Sequence, residues 1–326
     1  MIEGKNILIT GGKGFLGSHM TARFLSLGAK SIIIPTRDIR SVSTLDILNI
    51  ARSSRYNRVS VIKGDIRDYE FLRMLFCEYE PDIIVHLAAL SEVRKCQDDA
   101  KLVLDINLNG AISLLEIIRL YKRPNAIIMA SSDKAYGKGE LPYKETQALR
   151  GEGIYEVSKS CMDMIARAYA KNYDLPVVVT RCCNLYGGKD LNFSRIIPNT
   201  IRQLLRGKRP LIWAGSELAR REFLYIDDAV SAYQALLENI ETTRGEAYNV
   251  GGGDILSIGY LVDSIISRFG TDIKPEHRMK DFPEISDQYL DSEKIKKEIG
   301  WEPTTTFETG LSKTIEDYKS IKERLL

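Results

Sequence analysis

The chain has 326 residues, 44% of them hydrophobic and 28% charged, which suits one large domain or two of about 150 residues around a sizeable core. Its 46 basic and 44 acidic residues leave a formal charge of +2, so neither nucleic acid nor an anionic membrane is demanded as a partner. Five cysteines, two of them adjacent at Cys182 and Cys183, exclude a disulfide framework and lack zinc-ligand spacing. No metal is therefore expected. With no apolar run long enough for a signal or a membrane span, the expected location is the cytoplasm.

Residues 5–10 read as a short buried strand. Gly11-Gly12-Lys13-Gly14-Phe15-Leu16-Gly17 follows at once and opens a helix to about residue 27. In that setting backbone N–H groups and the helix dipole hold a pyrophosphate. Gly11, Gly14, Phe15, Leu16 and Gly17 are thus expected to hold a dinucleotide. Residues 31–35 form a second strand whose tip reads Pro35-Thr36-Arg37-Asp38-Ile39-Arg40. NAD sites place a carboxylate there for the ribose 2′-hydroxyl. None stands at the expected point, while Thr36, Arg37 and Arg40 offer a grip on a 2′-phosphate. NADP is favoured over NAD; the alternative is that Asp38 contacts the ribose and both arginines are solvated.

A third strand, 59–62, ends at Gly64-Asp65-Ile66, with Asp65 and Ile66 placed against the adenine. Asp65 equally suits the cap of a helix starting near Asp68. A fourth strand, 83–87, leads through Leu87 to Ala88-Ala89, small residues that let backbone approach the cofactor. His86, inside that apolar run, reads as core. Residues 98–121 predict one long helix, with Asn107 a mediocre helix former at its middle. A fifth strand, 126–130, delivers Ser131-Ser132-Asp133-Lys134 at its carboxyl end, the edge where open parallel sheets bind ligands. A helix over 152–173 and a strand over 176–180 complete the alternation. The fold class is α/β, a Rossmann-type doubly wound parallel sheet.

Tyr155 and Lys159, four residues apart, share one face of the 152–173 helix. A free tyrosine keeps its proton to about pH 10, and a lysine one turn away favours the phenolate. Ser132 can bond the same substrate oxygen. Such a set oxidises a secondary alcohol when a hydride acceptor lies beside it. Alone, the spacing also fits an ordinary amphipathic helix.

After Arg181 the rhythm breaks into shorter elements: a helix near 195–206, a strand-like 223–226, a helix to 237 capped by Asp227-Asp228, and a strand over 247–250 returning to the main sheet. A smaller, discontinuous second domain fits this pattern. The expected division is 1–182 with about 226–252 for the dinucleotide, and 183–225 with 253–326 for the substrate.

This combination resembles the extended short-chain dehydrogenase/reductase family that acts on nucleotide sugars. The matching residues are 10–19, Gly64-Asp65, His86-Leu87-Ala88-Ala89, Asn107, Ser131-Ser132, Tyr155 with Lys159, 181–187, 221–228 and Gly300-Trp301-Glu302-Pro303. The likeness covers nearly the whole chain, with its motifs in family order. Members that only epimerise usually carry no acid after the catalytic hydroxyl, whereas 4,6-dehydratases do, and Asp133 matches that acid. Lys134 resembles the lysine of CDP-glucose 4,6-dehydratases, while 221–228 follows the commoner family pattern.

The resemblance implies a lyase cycle on a nucleotide-diphosphate hexose, CDP-, GDP-, UDP- or dTDP-linked. Tyr155, with Lys159 and Ser132, takes the C4 hydroxyl proton as the C4 hydride moves to the nicotinamide. A base then removes the acidified C5 proton, Asp133 protonates the C6 hydroxyl, water leaves, and the hydride returns to C6. The tightly bound cofactor is thereby regenerated. Asp133 must carry its proton, which needs a raised pKa, and a Lys134 ammonium pushes the other way. Lys134 suits the C5 base only when neutral; the base stays open. Arg221 is the implied grip on the diphosphate, its alternative being a surface ion pair with Glu222 or Asp227. Asn184 and Arg195 are implied at the sugar–phosphate region; Arg94 either faces the substrate or is a helix-start cation. A homodimer through helices 107–121 and 152–173 is expected by family analogy. The rival readings are a 4-epimerase, which has no need of Asp133, and a non-catalytic NAD(P)-binding regulatory protein.

Overall fold

The computed structural model describes residues 1–50, 57–121, 123–279 and 286–325, with the side chains of 93–95 and 324–325 outside the description. The first strands in chain order are β1 (Asn6–Thr10), β2 (Ser31–Thr36), β3 (Val59–Lys63), β4 (Ile83–His86), β5 (Ala126–Ser132) and β6 (Val177–Cys182). After them come β7 (Asn184–Tyr186), β8 (Leu211–Trp213), β9 (Arg220–Tyr225) and β10 (Ala247–Val250). Seven of them make one parallel sheet in the order β10-β6-β5-β4-β1-β2-β3. The order reverses between β1 and β4, which opens a crevice at their carboxyl ends. Ile7, Leu8 and Ile9 are all buried, as are Val177, Val178 and Val179. Such unbroken apolar runs arise because helices cover both faces of a parallel sheet.

The covering helices are α1 (Phe15–Ser26), the short α2 (Thr44–Ile47), α3 (Tyr69–Tyr79), α4 (Val93–Asp98), α5 (Ala100–Leu104), α6 (Gly110–Leu120) and α7 (Ile154–Tyr173). Further on lie α8 (Ile196–Leu205), α9 (Ile226–Glu238) and α10 (Ile240–Thr243). Leu72, Leu75, Leu114, Ile118, Met162 and Ala166 from α3, α6 and α7 pack on one face with Leu8 and Ile84. Phe24 from α1 and Leu236 from α9 pack on the other, in a core continuous with the C-terminal region.

The single helix predicted over 98–121 is broken. Between α5 and α6 lies one π-helical turn, Asp105–Asn109. The cause is Asn107, which turns inward: its Oδ1 accepts from Leu90 N at 2.7 Å and its Nδ2 donates to Leu90 O at 3.0 Å. Nδ2 also reaches Ser158 Oγ on α7 at 2.9 Å. A poor helix former thus trades regular helix for a clamp on the loop after β4.

Two other boundaries moved. β6 runs on to Cys182 and takes Arg181 into the sheet, where the 1%-exposed guanidinium meets Asp163 of α7 at 2.8 and 3.1 Å. Asp227 and Asp228 do not cap α9; they occupy its first turn, favourable to the dipole, and Asp228 accepts from Thr304 N at 3.0 Å.

The remaining elements are β11 (Asp254–Ser257), α11 (Ile258–Arg268), β12 (Glu276–Arg278), β13 (Asp287–Gln288), α12 (Glu293–Ile299), α13 (Phe307–Ser320) and the short α14 (Lys322–Leu325). β9 is the centre of a small sheet, flanked by β11 and β13 and also paired to β7. It sets Gln288 beside Arg221 in register. Among the described residues no helix is long and apolar enough to cross a membrane.

Candidate active site

The first functional element is the turn after β1. Gly11 has φ +72°, and a Cβ there would stand 2.9 Å from Ala88 N, so the close approach expected of Ala88 is made to this turn. At Gly17 a Cβ would stand 2.6 Å from Gly11 O, whereas at Gly14 only Gly11 O lies near, at 3.1 Å. The missing side chains shape a cradle of backbone at the start of α1. It opens into a cleft of about 890 Å³, lined by Gly14, Phe15, Thr36 and Arg37 on one wall and Leu191 and Arg195 on the other. Leu16 packs against the core beneath it. Position, glycines and helix N-terminus fit a nicotinamide dinucleotide.

The neighbouring strand ends behave differently from one another. Asp38 Oδ1 accepts from Arg40 N at 2.8 Å and Ser41 N at 3.2 Å, bonds that hold its carboxyl below the usual range. Lys13 Nζ ties the same loop through Asp38 O at 2.8 Å. Arg37 stays exposed and lines the cleft, whereas Arg40 gives the turn its backbone N–H and is not among the lining residues. Asp65 does not cap α3; Asp68 does, accepting from Phe71 N at 3.1 Å. Both Asp65 oxygens accept from Arg67, whose other arm holds Asp105 at 2.6 Å. Ile66 is buried against Gly110. His86 is a core residue, bonded to Thr10 Oγ1 at 2.9 Å, with burial taking its pKa down to about 3. Ala88 N donates to that same threonine oxygen at 3.2 Å, and Leu87 N pairs with Thr10 O at 3.1 Å. Ala89 continues this loop.

Ser132 ends β5, and a 3₁₀ turn over Asp133–Tyr136 begins at once, with Ser132 Oγ accepting from Lys134 N at 3.2 Å. Its hydroxyl donates to Asp133 Oδ1 at 2.8 Å. Asp133 is only 3% exposed, and its Oδ2 is buried without a partner. Burial raises its pKa; the positive charges of Lys134 and Arg221 and the Ser132 bond pull the other way. The upward shift and the opposing pull of Lys134 are both present here.

Tyr155 enters from the first turn of α7, a helix started by Glu156 Oε2 accepting from Gly153 N at 3.0 Å. The phenol is not lowered by a neighbouring cation as the sequence predicts: burial and Asp133 push its pKa up, while a hydrogen bond with Ser132 and the charge of Arg195 favour the phenolate. Lys159 points its buried ammonium at Ala130 O, 2.7 Å away, and burial brings its pKa down to about 8. Tyr155 and Asp133 are linked, because keeping the proton on Asp133 removes the like charge that opposes the phenolate.

On the substrate side Arg221 is buried rather than superficial, and its guanidinium donates to Arg220 O at 2.9 Å and Ser286 O at 3.0 Å. The neighbouring Arg220 forms an ion pair with Asp287 at 2.7 Å. Asn184 Nδ2 donates to Glu222 O at 3.1 Å, and Arg195 meets Asp190 at 2.8 Å. Arg94 falls on α4, but its side chain lies outside the described residues.

Two site residues escaped the sequence reading. Glu222 is buried and accepts from Gly253 N at 3.2 Å and Leu290 N at 2.8 Å, with burial raising its pKa to about 7. Gln288 accepts from Lys134 Nζ at 3.0 Å. Glu222 stood inside a quoted motif and was weighed only as an ion-pair partner. Gln288 has no motif; only strand pairing brings it in.

A doubly wound sheet with a glycine turn at its switch point, and with Ser132, Tyr155 and Lys159 gathered at β5 and α7, defines an extended short-chain dehydrogenase/reductase. The model of the GDP-mannose 4,6 dehydratase family matches residues 8–314, and the chain belongs to that family of nucleotide-sugar dehydratases and epimerases. It is similar to the dTDP-glucose 4,6-dehydratase of Salmonella typhimurium, 31% identical over a 341-position alignment that covers 96% of this chain and 92% of that one. Among solved structures it resembles the dTDP-glucose 4,6-dehydratase of Bacillus anthracis in complex with NAD, with TM-score 0.87, 30% identity and coverage of 99% and 100%. The UDP-glucuronic acid 4-epimerase of Bacillus cereus, solved with UDP-glucuronic acid and NAD, aligns with TM-score 0.86 at 26% identity, covering 97% of this chain and 99% of that one. The cofactor is thus a nicotinamide dinucleotide.

Proposed function

We propose that the protein is a nucleotide-sugar 4,6-dehydratase, converting a nucleoside-diphosphate hexose to its 4-keto-6-deoxy form. The observation that carries this reading is Asp133: a buried carboxyl, its pKa raised, with one oxygen unpartnered beside Ser132 and Tyr155. Interconversion at C4 gives such an acid nothing to do, whereas expulsion of the C6 hydroxyl requires a proton donor.

When bound, the nicotinamide takes a hydride from C4 and returns one to C6. Tyr155 accepts the C4 hydroxyl proton while Ser132 bonds that oxygen; the Ser132 bond and the charge of Arg195 favour the phenolate, and Lys159, one turn along α7, is held on Ala130 O. Lys134, as the neutral amine, takes the C5 proton while Asp133 gives its proton to the departing C6 oxygen. An acid and an amine become a carboxylate and an ammonium side by side, so the two transfers balance in charge and water leaves with the C6 oxygen. Arg221 and Arg195 grip the diphosphate, Asn184 the sugar–phosphate junction, and Arg94 is assigned to the substrate mouth.

Of the two dinucleotides, the end of β2 favours NADP, because Asp38 is turned onto two amides and the exposed Arg37 lines the cleft. Gly11, Gly14, Phe15, Leu16, Gly17 and Thr36 complete that half of the site, and the first domain is 1–182 with about 226–252. Exposed Leu120, Tyr121, Met164 and Tyr173 on or beside α6 and α7 support a homodimer through those helices. The cytoplasm is the proposed location.

A 4-epimerase is the second reading, favoured by the resemblance to the Bacillus cereus enzyme. Mass spectrometry and proton NMR separate the two on purified protein offered CDP-, GDP-, UDP- and dTDP-hexoses in turn. Loss of one water supports the dehydratase. Unchanged mass with inversion at C4 selects the epimerase. No conversion after addition of NADP, then NAD, overturns both.

A further inference from the structure

Two buried side-chain atoms near the substrate-facing end of β5 lack partners: Asp133 Oδ2 and Gln288 Nε2. The first is explained by the acid's task. The second is not explained by anything above. Gln288 is 0% exposed, and a buried amide N–H left without an acceptor is unfavourable. Its place is narrowly fixed. β13 pairs it with Arg221 in parallel register, so both side chains rise from the same side of the small sheet. Its Oε1 is taken by Lys134 Nζ at 3.0 Å. In that bond Lys134 donates to the amide oxygen, which leaves Nε2 as the open end.

We propose that Gln288 is a positioning and specificity residue of this site, holding Lys134 through Oε1 and presenting Nε2 to an acceptor oxygen of the bound nucleotide sugar. The proposal rests on the dehydratase reading for its first half only. When Lys134 takes the C5 proton it becomes an ammonium, and the bond to Oε1 becomes charge-assisted and stronger. Gln288 therefore favours the product of that step and fixes where the amine waits. Its second half is simple satisfaction: Nε2 stands beside Lys134 and Arg221, a cluster of donors with one hole, and an oxygen from the hexose or the β-phosphate fills it. The charged and titratable groups around this cluster are Asp133, Arg221 and Glu222, with Tyr143 on the following loop, Tyr155 and Glu156 on α7, and Cys182 and Cys183 at the end of β6.

The test compares Gln288→Leu, which lacks both groups, with Gln288→Glu, which keeps an oxygen for Lys134 and lacks the donor. Calorimetry on the holoprotein measures affinity for the nucleoside diphosphate and for the whole nucleotide hexose. Both variants should bind the nucleotide hexose about tenfold more weakly. An equal loss for the diphosphate alone assigns the contact to phosphate, and an intact diphosphate affinity assigns it to the hexose. Unchanged affinity for both ligands overturns the contact. In turnover assays Gln288→Leu should lower the rate of water loss at least about tenfold, because Lys134 has lost the oxygen that holds it. Gln288→Glu, which keeps an oxygen there, should recover most of that rate. A rate unchanged in Gln288→Leu, or lost equally in both variants, overturns the role toward Lys134. Should the wild-type chain dehydrate none of the nucleotide sugars, the dehydratase reading fails and takes that role with it, while the calorimetry still decides the contact.

Discussion

Two buried polar clusters stand on adjacent strands of the same sheet and are built on opposite terms. Around Arg181 every guanidinium nitrogen has a partner: Asp163 takes two guanidinium bonds, Tyr136 OH accepts a third at 2.8 Å, and Tyr136 in turn donates to Asn249 at 2.7 Å. Around Asp133, one strand away, Ser132 and Lys134 are bonded but Asp133 Oδ2 and Gln288 Nε2 are left open. Burial is equally deep in both. The saturated cluster welds α7 to β6; the unsaturated one keeps its vacancies for a ligand and a proton.

The largest effect that sharpens this contrast is expected at the acid. Asp133→Asn should lower water loss by about 10²–10⁴-fold while sparing oxidation at C4, so that reduced nicotinamide accumulates and is read by its near-ultraviolet absorbance. Undiminished water loss would falsify the assignment. The same variant should be the more stable protein. A carboxyl whose pKa is raised on folding binds more protons folded than unfolded between the ordinary value of 3.8 and the raised one, so its contribution to stability falls as pH climbs through that window. Replacing it relieves this cost at pH 7 and not below pH 3.8, which urea titrations at the two pH values would show. A neutral-pH midpoint below that of the wild type counts against it.

At the saturated cluster the signs reverse. Asp163→Asn strands a guanidinium that is 1% exposed and should cost about 3–5 kcal/mol in urea unfolding. The folded fraction should keep its rate per molecule; a rate that collapses while the fold holds would mean that this cluster too belongs to the chemistry. The smallest effect lies at the cleft rim, where Arg37→Ala should weaken NADP binding about tenfold and leave NAD alone. Equal loss for both dinucleotides would remove the preference for NADP.

What the sequence made legible follows the same division. The doubly wound sheet, its glycine turn and the Ser132, Tyr155 and Lys159 set could be read because each is local: a strand period, a turn chemistry, a one-turn spacing. Residues whose role depends on distant partners could not. Asp65 was free to cap a helix until Arg67 was seen to occupy both its oxygens. Arg181 marked the end of a pattern, although it is the centre of a buried network. Gln288 lies 154 positions from the lysine it holds, beyond the reach of any local rule. Tyr155 failed in a different way. Its spacing to Lys159 holds, but burial, which no spacing reports, raises its pKa, and the cation that favours the phenolate is Arg195.

The far wall of the cleft is the stretch from Asp190 to Arg195, and the residues that lead into it are moored to two helices. Lys189 O accepts from Thr44 of α2 at 2.9 Å, Lys189 Nζ meets Asp317 of α13 at 3.1 Å, and Tyr318 OH donates to Asp190 O. At Gly188 even a methyl group would collide with Asp317. This wall therefore belongs as much to α13 as to α2. Its consequence is one of folding order: the vestibule shared by dinucleotide and sugar is completed only when α13 docks, so a chain still emerging from the ribosome has its glycine turn ready before it has a room to put anything in.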